Sequence, residues 1–282
     1  MTQPVVVHAG HGLPYSKGLM AQSLSASGLP PNRAFELARE LERRLVDGGI
    51  ETIDLAALRT RAEEVLRDYE GEAGVRRYRD WERLDRLDRP LVVMLGGAPG
   101  VGKSTLATRL AHRLGITRVI ATDVIRQVLR AFFTAEAMPS VHHSAFELDA
   151  AGFREQSDAV GTGVEAIVER ACAERTPVVL EGVHAVPGVL SPALAARCVT
   201  VEALLVVNSE ELHRGHFSLR GADRPAERYH ARFAEIRRLQ DDLTDRARSA
   251  GVTVIDNENV DETLGRLMSL VLDSVAKLEA RT

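Results

Sequence analysis

Leu91-Val92-Val93-Met94-Leu95, followed after one glycine by Gly97-Ala98-Pro99-Gly100-Val101-Gly102-Lys103-Ser104, is the stretch on which the reading of this chain turns. The first part is a short unbroken apolar run, the pattern of a strand buried on both faces. The second fits G-x-x-x-x-G-K-[ST] at every fixed position. Its glycines let the backbone curl until N–H groups face inward and surround phosphate oxygens. The amphipathic stretch 104–114, closed by Gly115, predicts a helix whose N-terminus adds positive potential at the same point. Lys103 is placed to reach the β- and γ-phosphates of a nucleotide, and Ser104 to offer its hydroxyl to Mg²⁺. A chance Gly-rich turn would not require strand, loop and helix to agree in this way.

Similar apolar runs recur at Val119-Ile120-Ala121, Val178-Val179-Leu180, Leu204-Leu205-Val206-Val207 and Val252-Thr253-Val254-Ile255, with amphipathic stretches between them. Strands alternating with helices predict an α/β domain over 89–282: a parallel sheet flanked by helices, joined by right-handed crossovers. Asp88-Arg89-Pro90 marks its boundary. The region 1–88 reads as a small α-rich domain. Val5-Val6-Val7 predicts a short strand and Gly10-His11-Gly12 a turn, and helices are expected over 16–27, 32–47 and 55–69. Pro30-Pro31 before the second helix and Gly48-Gly49 after it are the expected start and stop residues.

The chain has 282 residues, 45% apolar but only 4% aromatic, so its core must be built from Leu, Val, Ala and Ile. A formal net charge of −4 gives no electrostatic ground for nucleic acid or an acidic membrane as partner. The first residues lack the pattern of a secretory signal, and no run reaches the ~18 apolar residues of a membrane helix, so a cytoplasmic protein is expected. Cys172 and Cys198 have no metal-ligand spacing and read as thiols in a reducing compartment.

In such a sheet, ligands gather at the C-terminal ends of the strands. Asp123 follows the second strand of this domain and Glu181 ends the third. A kinase needs one carboxylate to orient or deprotonate the acceptor hydroxyl and another to hold Mg²⁺. Asp123 is assigned to the acceptor and Glu181 to the metal, with the opposite assignment open; Asp123 could also cap the helix that follows it. Arg126 and Arg130 share a helical face that begins there, which suits an anionic acceptor. His142, His143 and Ser144 are further candidates for acceptor contact, since no third spaced ligand supports zinc. His184, three residues past Glu181, is a stronger one. The segment 211–238 holds Arg214, Arg220, Arg224, Arg228, Arg232, Arg237 and Arg238, with Gly215 and Gly221 as flexible points and Pro225 placed to start a helix. It predicts a lid near 211–232 that closes over the transferring phosphate, with Arg214, Arg220 and Arg224 as its contacts. Arg237 and Arg238 are expected on a solvated helix face.

These residues together resemble the 2-phosphoglycerate kinases. The resemblance is carried by Gly96 through Thr105, by Thr122-Asp123-Val124-Ile125-Arg126, by Glu181-Gly182-Val183-His184 with Pro187-Gly188, by Arg224-Pro225-Ala226-Glu227-Arg228-Tyr229 and by Val254-Ile255-Asp256-Asn257. It implies nucleotide contacts from Gly97 to Thr105, ATP and Mg²⁺ as cofactors, and a small phosphorylated acid, 2-phosphoglycerate, as partner; a homo-oligomer is left open. Leu13 to Leu19, with Arg76-Arg77-Tyr78, resembles the ATP-cone module that precedes such kinases, and Lys17 is the one residue carried over as a phosphate contact. His8-Ala9 stands where ATP cones have a Lys-Arg pair, so docking or dimerisation is an equal reading of the module. Two other readings share the same motifs: a kinase for another small phosphorylated acid or a sugar phosphate, and a non-enzymatic ATP sensor.

Overall fold

In the computed structural model the described residues are 4–8, 10–84, 88–218 and 226–279. They divide into two compact units, one built mainly from 1–87, the other from 88–112 and 116–274.

In the first unit, β1 (Val5–His8) pairs antiparallel with β2 (His11–Pro14) and parallel with β3 (Thr52–Asp54). Three helices accompany this sheet: α1 (Lys17–Ala26), α2 (Pro31–Asp47) and α3 (Leu55–Leu84). Ser16 caps α1 by accepting from Leu19 N at 3.3 Å. Proline at the first position of α2 and glycines at 48 and 49 delimit that helix, as the sequence led us to expect. Leu24, Leu37, Leu41, Leu45, Leu66 and Tyr78 form the core. The sequence reading missed β2 and β3. The turn is confined to the vicinity of Gly10 (φ 81°), and His11 and Gly12 are already in a strand. The third helix continues past its expected end, kinking at Gly71 (φ 68°) and resuming, because only one residue of left-handed geometry interrupts it.

In the second unit, β4 (Leu91–Gly96) lies at the centre of a five-stranded sheet in the order β5-β6-β4-β7-β8, with every pairing parallel. The other strands are β5 (Val119–Ala121), β6 (Val178–Glu181), β7 (Val199–Val206) and β8 (Thr253–Asp256). All the predicted strands of this domain are present. Between them run α4 (Lys103–Leu114), α5 (Thr122–Phe132), two 3₁₀ turns (Pro139–His142 and Ala145–Glu147), α6 (Ala150–Glu174), α7 (Pro192–Ala195), α8 (Glu210–Ser218), α9 (Ala226–Ala231) and α10 (Phe233–Ser249), and α11 (Val260–Glu279) follows β8. Every residue of β4 and β6 is buried. Val92, Met94, Val178 and Leu180 pack against Val160, Val164 and Val168 of α6.

The register of this sheet builds the site. Glu181 on β6 stands opposite Leu95 of β4 on one side and Ala121 of β5 on the other. Three strands therefore end level, and the residues at and just beyond their ends converge: the Gly-rich loop after β4, Thr122 and Asp123 after β5, Glu181 itself on β6.

Candidate active site

The loop after β4 can only be built from glycine at three points. Gly97, Gly100 and Gly102 have φ of 146°, 91° and 87°, where an L side chain is strained. A Cβ would also collide with the Leu205 carbonyl at Gly97, with Phe217 and His213 at Gly100, and with Asn257 at Gly102. Four successive carbonyls of the loop each accept a side-chain hydrogen bond. Lys103 Nζ donates to Ala98 at 2.8 Å, His213 Nε2 to Pro99 at 2.8 Å, His216 Nδ1 to Gly100 at 2.9 Å and Asn257 Nδ2 to Val101 at 2.9 Å. Because a carbonyl only accepts, each of those two imidazole nitrogens carries a hydrogen. Among the described residues the N–H groups of Gly100, Val101 and Gly102 have no partner. A concave loop with its carbonyls bound and its N–H groups unused fits a phosphate.

Ser104 Oγ donates to Glu181 Oε1 at 2.7 Å. Glu181 is 7% exposed, and burying a carboxylate is costly without a compensating donor or cation. These two hard oxygen ligands beside the phosphate loop suit Mg²⁺. Asp123, by contrast, has a side chain 61% exposed. It sits in the first turn of α5, and the N-cap position belongs to Ala121, with no side-chain cap. Arg126 Nε and a terminal nitrogen both reach Asp123 Oδ1 at 2.7 Å. Among the described residues Oδ2 accepts nothing.

The arginines and histidines expected at the acceptor differ in what they do. Arg126 is buried, and its guanidinium also donates to the carbonyls of Val141 at 2.9 Å and His143 at 3.3 Å. Arg130 is exposed and bonds to Gln127. The ring of His142 bonds to the Phe133 carbonyl at 2.9 Å. Ser144 and Glu147 form a capping box, and Arg228 of α9 donates to both at 2.9 Å. His184 is a correction: it is wholly buried, not exposed to a ligand. One ring nitrogen lies 3.1 Å from Thr122 Oγ1, the other 2.9 Å from Gln156 Oε1, and the ring stacks on Phe153. Burial, helped by the nearby charge of Arg126, pulls its pKa down to about 4, so it is neutral.

Arg220, Arg224, Gly221 and Pro225 lie outside the described residues. Arg214 places its guanidinium over the ring of Phe233, 3.8 Å from the centroid. Gly215 is inside α8, not at a hinge. Arg237, expected on a solvated helix face, is instead half-buried and donates to the carbonyls of Val207 and Asn208 just past β7. Lys17, in the other unit, pairs with Glu42 at 3.1 Å. The sequence reading missed His213, His216, Asn257, Thr122 and Gln156. Two histidines three residues apart on one amphipathic helix were the available signal for the first pair.

Residues 92–188 match the family described as AAA domain. Over 95% of its length the chain is 36% identical to the 2-phosphoglycerate kinase of Methanopyrus kandleri, covering 86% of that protein. Over 94% it is 35% identical to the 2-phosphoglycerate kinase of Methanothermobacter thermautotrophicus, covering 92% of it. Among solved structures, shikimate kinase from Acinetobacter baumannii in complex with shikimate aligns with 68% of this chain and 97% of its own, at 17% identity and a TM-score of 0.41.

Both buried histidines tie stability to pH. His213, pressed between Phe217 and Phe233, also has its pKa pulled down to about 4 by burial. Unfolding returns each ring to its ordinary value of 6.5. Between these values the unfolded chain binds protons that the folded chain does not, so stability falls as pH falls. The unfolding free energy should drop by about 2 kcal/mol per histidine between pH 7 and pH 5. Urea titrations at a series of pH values measure this; a flat profile over that range contradicts the neutral buried assignment.

Proposed function

This chain belongs to the 2-phosphoglycerate kinase family, and from that premise we propose that it transfers the γ-phosphoryl group of ATP to the 3-hydroxyl of 2-phosphoglycerate, giving 2,3-bisphosphoglycerate and ADP. The observation that carries the reading is the pair of carboxylates at adjacent strand ends, Glu181 bonded to the phosphate-loop Ser104 and Asp123 exposed beside it. P-loop kinases use ATP with Mg²⁺. Ser104 and Glu181 would hold that ion, which supplies positive charge to the phosphates when bound.

The remaining work falls to the chain's own groups. The N–H groups of the loop 97–103 and the ammonium of Lys103 receive phosphate oxygens, and Thr105 continues the cradle into α4. Asp123 Oδ2 accepts the acceptor hydroxyl and takes its proton as the oxygen bonds to the γ-phosphorus and the bond to the bridging oxygen of ADP breaks. The free Oδ2 of Asp123 and the buried, Ser104-bonded Glu181 support this order of roles over its reverse. Arg130, His143 and Ser144, with His142 beside them, are assigned to the phosphate and carboxylate of the acceptor. Arg126 lends its charge while its N–H groups hold Asp123 and the neighbouring carbonyls. Residues 1–88 are read as an ATP-cone-like module; a nucleotide phosphate at Lys17 would have to compete with Glu42.

The experiment is coupled ADP release with Mg-ATP and, in turn, 2-phosphoglycerate, 3-phosphoglycerate, glycerate and no acceptor. A rate that depends on 2-phosphoglycerate supports the proposal; an equal rate with every acceptor refutes it. Lys103→Ala should lower turnover by several orders of magnitude in a folded protein, and Asp123→Asn should cut kcat while leaving ATP affinity unchanged. Near wild-type kcat in either folded variant would remove that residue from the chemistry.

A further inference from the structure

Gln156 lies in the middle of α6, on the face that also buries Phe153 and Val160, and it is 0% exposed. A primary amide in such a place is costly unless its hydrogen-bonding groups are matched. Its Nε2 lies 2.5 Å from the Ser140 carbonyl and 3.0 Å from the His143 carbonyl. Carbonyls only accept, so the amide nitrogen is fixed on that side and Oε1 faces His184. His184 must then carry its hydrogen on Nε2, leaving Nδ1 to accept from the Thr122 hydroxyl. One set of proton positions satisfies the whole chain of bonds from Thr122 to His184 to Gln156 to the two carbonyls.

We propose that Gln156 is a positioning residue for the acceptor half of the site, acting through the carbonyls of Ser140 and His143, with His184 and Thr122 setting its orientation. This rests on the reading that Asp123 and residues 142–144 face the acceptor. The carbonyl of His143 is shared between Gln156 and Arg126, and Arg126 takes the Val141 carbonyl as well. The same guanidinium holds Asp123 by two nitrogens. Gln156 and Arg126 thus grip one short segment, and the carboxylate assigned to the acceptor hydroxyl is on the far side of that grip. The phosphate loop is held by a separate set of donors, Lys103, His213, His216 and Asn257. Loss of Gln156 should therefore disturb the acceptor and spare the nucleotide, whereas a packing role alone predicts lower stability with no such division.

Two variants test this. Gln156→Leu keeps much of the volume and removes every hydrogen bond. In the folded variant KM for 2-phosphoglycerate should rise at least about tenfold while KM for ATP stays within about twofold. Gln156→Glu is a titratable mimic. Its protonated carboxyl can donate to one carbonyl and accept from His184, but its ionised form has no hydrogen to donate and sets a negative oxygen against the carbonyl oxygens of Ser140 and His143. The charged groups bearing on this cluster are Arg126 and Asp123 of α5, Lys103 of α4, and Arg246 of α10 beyond Phe153. Their own titration is common to both proteins; in the variant Arg126 and His184, which contacts the substituted side chain, also act on the new carboxyl and set the pH at which the ratio of variant to wild type changes, not the direction of the change. That ratio of kcat/KM for 2-phosphoglycerate should recover as pH falls and decline as pH rises. An unchanged acceptor KM in folded Gln156→Leu, or a flat ratio for Gln156→Glu, overturns the proposal. Should wild type show no turnover with 2-phosphoglycerate, the functional reading fails by itself, and amide hydrogen exchange still tests the positioning. Amides in 140–147 should exchange at least about tenfold faster in the variants, with those in 97–104 unchanged. Equal exchange in 140–147 overturns it.

Discussion

The structure depends first on what holds the backbone of the phosphate loop. A loop that offers N–H groups to an anion must do something with the carbonyls of the same peptides. Here four successive carbonyls, from Ala98 to Val101, are each met by a donor: Lys103 from the following helix, His213 and His216 from α8, and Asn257 from the end of β8. The three glycines in the left-handed region make that conformation accessible, and the donors select it. Every element of the sheet domain that supplies a donor is thereby tied to the nucleotide end of the site. α8 is also the helix from which the Arg-rich segment departs. Its Phe217 presses on Gly100 from one side and stacks on Tyr229 of α9 from the other.

The second constraint is the level ending of β4, β5 and β6. A parallel sheet points all its strand ends the same way, so a polar residue at each end is brought to one place without any long-range design. Burial then distinguishes the two carboxylates. Glu181 is sunk at the end of a fully buried strand, where a hydroxyl donor and a cation can offset its charge. Asp123 stands clear of the surface with one oxygen held and the other open. Two carboxylates so close in the fold thus stand in different environments.

Much of this was legible from the chain alone, because it is written in short strings. The apolar runs gave the strands, the phosphate loop was contiguous, and Asp123 and Glu181 followed directly from where strands end. The illegible parts are those joined across the sequence. The donors to Pro99, Gly100 and Val101 lie 114, 116 and 156 residues away from the carbonyls they serve, and the spacing of the two histidines on one helix does not say what they meet. His184 was conspicuous but misassigned, since a histidine after a buried strand looks the same whether it faces a ligand or a buried glutamine. Its partner Gln156 sat unnoticed in a helix whose apolar spacing already accounted for the face. In the N-terminal unit, strands of three and four residues were too short to show alternation against the surrounding turns.

Phosphorus NMR of the products formed from Mg-ATP and 2-phosphoglycerate tests the central claim, that this cradle and these two carboxylates move a phosphoryl group onto a second hydroxyl of a phosphorylated acid. The account predicts a new phosphomonoester resonance growing in step with ADP, coming from an acid that carries two phosphates. Inorganic phosphate as the sole partner of ADP, or ATP left intact, would contradict it.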